Sequence, residues 1–67
     1  MTDEREIWQC ANEIVKQYGE DALLEAAKRA DAMLEAGDFD GQAVWKRILR
    51  AAEELLRQAP RTDERLQ

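Results

Sequence analysis

The chain has 67 residues, a net charge of −5, one cysteine and no histidine. A chain of that length forms one domain at most and buries only about 60% of the surface its unfolded form exposes, so its own core is marginal. Cys10 alone excludes an intramolecular disulfide, and a zinc site is disfavoured without histidine. Alanine, leucine, glutamate and arginine dominate, with one proline and three glycines, and that palette predicts an all-α fold. No apolar run approaches the roughly 20 residues of a membrane span, and the acidic start "MTDEREIW" is unlike a basic signal peptide. The expectation is a cytoplasmic protein with no membrane contact.

The first helix is predicted over about 3–18, with Asp3 as N-cap and Glu6 three residues on. At 100° per residue, Ile7, Trp8, Cys10, Ala11, Ile14, Val15 and Tyr18 share one side. Gly19 is expected to end the helix in the left-handed conformation, and Asp21 to cap a second helix over 21–36. The apolar stripe of that helix is Ala22, Leu23, Ala26, Ala27, Ala30, Met33 and Leu34, with Ala30 near its centre. Alanines on both sides permit close approach of a neighbouring helix, so Ala30→Leu is expected to overpack at a cost of roughly 1–3 kcal/mol.

Gly37 ends the second helix and Asp40 is read as the cap of a third over 40–59, with Phe39 packing on Val44 as a hydrophobic staple. Pro60 marks the stop. The apolar arc of this helix has two seams: Val44, Ile48, Ala51 and Leu55, then Trp45, Leu49, Ala52 and Leu56. Lys46, Arg50, Glu53 and Arg57 lie opposite. Two seams need two partners, supplied by the first two helices or in part by a second chain. The expected organisation is therefore a three-helix domain over 1–60, followed by a charged, fraying tail at 61–67.

Charge is segregated along the chain. Residues 1–40 carry eleven acids and four bases, whereas 41–59 carry two acids and four bases, Lys46, Arg47, Arg50 and Arg57. Attraction of the whole chain to nucleic acid is disfavoured, although the third helix presents a local basic face. A helix-turn-helix reader would also place Asp38 and Asp40 beside phosphate. Those carboxylates repel it.

The stretch "EAGDFDGQAVWKR", 35–47, raises two further readings. Aligned as an EF-hand loop, Asp38, Asp40 and Gly41 fill the third, fifth and sixth positions, but Ala36 and Arg47 then occupy the first and twelfth, where carboxylates are needed. Aligned as a tetratricopeptide turn, the small, aromatic and proline positions fall on Gln42, Lys46 and Glu54. Both fail, and capping is the simpler account. For catalysis the chain offers no histidine, and Cys10 lies on the apolar side of its helix. The acids are surface neighbours of bases, as Glu25 is of Lys28 and Arg29, and Asp31 with Glu35 is a helical acidic pair. A non-enzyme with no cofactor is expected.

Trp8 and Trp45 serve either as core or as interface anchors, a role in which tryptophan is over-represented. The run "YGEDALLEAAKRADAMLEAGDFDGQAVWKRILRAAEEL", 18–55, resembles a family of small uncharacterised bacterial helical proteins with a "GEDA" helix start, an "RAD..LEAGD..G" boundary and an "AVWKRIL.A.EEL" helix. That resemblance implies a small bacterial helical protein and carries no activity or cofactor. The leading expectation is a protein–protein interaction protein that forms a homodimer through the third helix, with Trp8, Trp45, Leu49 and Leu56 at the contact. The alternatives are an acidic regulator that covers a basic partner or mimics nucleic acid, and weak nucleic-acid binding through the basic third helix.

Overall fold

The computed structural model describes residues 3–58, and every element in that span is helical. The expected stop at Pro60 and the tail at 61–67 lie outside the described residues. Helix α1 spans Glu4–Tyr18, α2 spans Ala22–Glu35 and α3 spans Phe39–Gln58. A single 3-10 turn, Gly19–Asp21, joins α1 to α2. Helical structure is thus unbroken from Glu4 to Glu35, and the described chain has two helical runs, the first of them bent, instead of three separated helices.

The bend has a local cause. Gly19 adopts φ 60° and ψ −131°, a region that the Cβ of any other residue makes costly, and its N–H donates to the Val15 carbonyl. Its φ is positive as expected, but its ψ is not that of the left-handed helical region. The chain enters the next helical turn at once. Asp21 is consequently already helical, at φ −78° and ψ −3°, and its side chain makes no capping hydrogen bond. The expected cap at Asp21 is incorrect because an N-cap needs extended backbone. At the start of α1 that geometry is present: Asp3 is extended, and its Oδ1 accepts from the Glu6 N–H at 3.0 Å.

The corner between α2 and α3 is a Schellman turn followed directly by a cap. Gly37, at φ 79°, donates its N–H to the Leu34 carbonyl, while the Asp38 N–H donates to the Met33 carbonyl at 2.8 Å. Asp38 is also the N-cap of α3, for its Oδ1 accepts from the Gly41 N–H at 2.8 Å and its carbonyl accepts from the Gln42 N–H. The cap is therefore Asp38, not Asp40, and α3 begins at Phe39 instead of residue 40. The staple between Phe39 and Val44 falls with it. Phe39 occupies the first helical position and is 65% exposed.

Helix α3 packs against both α1 and α2, whereas α1 and α2 touch each other much less. The described molecule measures 47 × 22 × 15 Å. Its core consists of Ile7, Ala11 and Ile14 from α1, Ala22 and Ala26 from α2, and Ile48, Ala51 and Ala52 from α3. Small residues bring the helix axes together, but they also leave little apolar volume inside. Isoleucine is the only large residue type among the buried side chains of the described residues, and full burial of each contributes about 1.5–3 kcal/mol.

Candidate interaction surface

The bulky apolar side chains lie at the edges of this core. Trp8, Val15, Tyr18, Leu23, Val44, Trp45, Leu49 and Leu55 pack against it while remaining partly exposed. Leu56 is half-buried without joining that group, and Leu24, Leu34 and Phe39 are exposed. Cys10, expected on the apolar side, is exposed. It sits at the edge of the α1 stripe, and a helix facing one neighbour buries a stripe little more than 100° wide. Leu34, at 46% exposed, fails for a similar reason at the last turn of α2.

The four residues expected at a contact fall in different places. Trp8 lines a depression of about 420 Å³ between α1 and α3, together with Glu4, Ile7, Arg47, Arg50, Ala51 and Glu54. Trp45 lines another, of about 410 Å³, with Gln9, Cys10, Glu13, Ile14, Gln17, Tyr18 and Arg29. Leu49 lines a third, of about 330 Å³, between α2 and α3, with Ala27, Ala30, Asp31, Lys46 and Arg50. Leu56 borders none of these three. The tryptophans thus belong to separate depressions, and Arg50 is common to those of Trp8 and Leu49.

Trp45 carries its own cover. The Arg29 guanidinium stands 5.2 Å from the centre of its ring, close enough for the cation to be attracted by the negative face of the π system. Glu25 Oε2 accepts from Arg29 Nε at 3.3 Å, and Lys28 Nζ lies 3.7 Å from Glu25 Oε1. One carboxylate therefore orients the arginine that shields the ring. The spacing of Glu25 to Lys28 and Arg29 made those ion pairs legible, whereas the reach of Arg29 across to α3 depends on how the helices are aligned.

On α3, Lys46, Arg50, Glu53 and Arg57 are exposed, as expected of the outer face, and so is Arg47. Glu54 accepts from Arg57 at 3.2 Å and from Gln58 at 2.9 Å, which ties the last basic residue to its own helix. Among the described residues no group of three histidine, cysteine, aspartate or glutamate side chains is placed to hold a metal ion. None of the described helices is long and apolar enough to cross a membrane. Comparison with protein families, with curated proteins and with solved structures found no match to this chain. The functional reading rests on the chain's own geometry.

Proposed function

We propose that this chain is a non-enzymatic interaction protein that self-associates as a dimer through the apolar side chains left at the surface of its helical unit. One observation carries the reading: the buried positions are mostly alanine, while tryptophan, leucine, valine and tyrosine straddle the rim. A chain of this length with a single cysteine, and with no metal-holding cluster among its described residues, gains most by placing those rims against another protein surface. The twofold dimer is the commonest closed assembly, which sets the expected stoichiometry. A reducing compartment such as the cytoplasm suits the exposed thiol of Cys10.

Sedimentation equilibrium is expected to give twice the 7.7 kDa mass of one chain at micromolar concentration. A monomer that keeps its helical circular dichroism down to nanomolar concentration overturns the proposal.

The second reading is an acidic regulator that covers a basic surface. It draws on Asp3, Glu4, Glu6 and Glu13, which are exposed together at and along α1. Binding to a cationic protein that vanishes between low and high salt favours it. Nucleic-acid binding through α3 has less support, since Glu53 interrupts the basic face and Glu54 engages Arg57. A titration with duplex DNA at low salt tests it, and absence of a shifted complex ends it.

A further inference from the structure

The depression between α2 and α3 carries opposite charges on its two sides. Ala27, Ala30 and Leu49 form its apolar lining, with Asp31 on the α2 side and Lys46 and Arg50 on the α3 side. Lys46, Arg50 and Asp31 make no ion pair among the described residues, although acid and base border one groove. The two helices are antiparallel across the Gly37 corner, so Asp31 and Lys46 both sit toward the corner end. Ala27 and Arg50 sit toward the other end.

We infer that this groove is the contact between two copies of the chain, related by a twofold axis running along the groove, with Asp31 of each copy paired to Lys46 of the other. This deepens the self-association proposed above and rests on it. An axis along the groove lays α2 of one copy on α3 of the other and preserves each level. The small Ala27 and Ala30 side chains then leave room for Leu49 of the second copy, and the acidic edge meets the basic edge. A twofold axis across the groove instead lays α3 on α3, bringing Lys46 to Arg50. Like charges in contact cost enough to disfavour that arrangement. The charges thus select both the occupant, a second copy, and its orientation.

A charge swap tests the inference. Asp31→Lys and Lys46→Glu are each made in the full chain, then combined, with helical circular dichroism confirming that each variant folds. Each single reversal is expected to weaken the dimer at least about tenfold in low salt, and the combination to restore it to within about threefold, because the pair is only exchanged. Restoration that disappears in high salt supports the pairing further. A wild-type dimer whose constant neither reversal changes overturns this face and leaves self-association standing. Two weakened single variants without restoration overturn the Asp31–Lys46 pairing. A folded wild-type monomer overturns this inference and the proposed function together.

Discussion

Gly19 and Asp38 show how single residues set the path of the chain. A Cβ added at Gly19 meets nothing within 4 Å, so the cost of replacing it lies wholly in the backbone conformation. Gly19→Ala is expected to lower stability by about 1–3 kcal/mol in urea unfolding, and an unchanged midpoint would contradict a bend that requires glycine. Asp38→Ala should cost about 1 kcal/mol through loss of the cap, whereas Asp40→Ala stays within about 0.5 kcal/mol. Equal effects at the two aspartates would remove the distinction. The sequence reading places the cap at Asp40, because Asp38 and Asp40 both precede the apolar arc of α3 and the periodicity does not separate them. What decides it is the Schellman turn, which makes Asp38 the last residue of one motif and the first of the next. Glycine at 41 belongs to the same corner: a Cβ there would lie 2.7 Å from Asp38 Oδ2 and 2.8 Å from Met33 Sδ.

For whole helices, the apolar stripes were readable because a repeat of 3.6 residues marks one face wherever a single neighbour covers it. Ile7, Ala11 and Ile14, Ala22, Ala26 and Ala30 of α2, and Ile48, Ala51 and Ala52 are all buried where the periodicity puts them. Edge positions were less readable, since burial there depends on the angle at which helices cross. Cys10 and Leu34 fell outside for that reason, and the cover of Trp45 by Arg29 came from the same unstated geometry. The depth of each alanine also grades its tolerance. Ala26 is 0% exposed within the core, so Ala26→Leu should cost about 1–3 kcal/mol by overpacking. Ala30, though buried, borders the open groove of Leu49, and Ala30→Leu should be the milder change in thermal melts at low protein concentration. The reverse order would mean that the groove is closed at Ala30.

At the scale of the molecule, the core of isoleucine and alanine encloses little apolar volume, so any surface that covers the rim adds to stability. If two chains associate, their melting temperature depends on concentration, because the dimer is favoured by mass action. Calorimetry over a hundredfold range of concentration is expected to show a rising midpoint, and a constant midpoint would point to a self-sufficient monomer. Leu24, at 62% exposed, lies outside the core cluster, and Leu24→Gln should change stability by less than about 0.5 kcal/mol.

The bend at Gly19 also bears on the order in which the molecule assembles. Helices α2 and α3 are neighbours in sequence, joined by a corner whose hydrogen bonds are all local, and they can zip together from it with little loop entropy to overcome. Helix α1 reaches α3 only after the chain has folded back through the bend at Gly19. The α2–α3 pair is therefore expected to fold early and α1 to join late. Amide hydrogen exchange should find α1 opening at lower free energy than the middle of α2 and α3, so that the first helix leaves and returns many times before the rest of the molecule unfolds once.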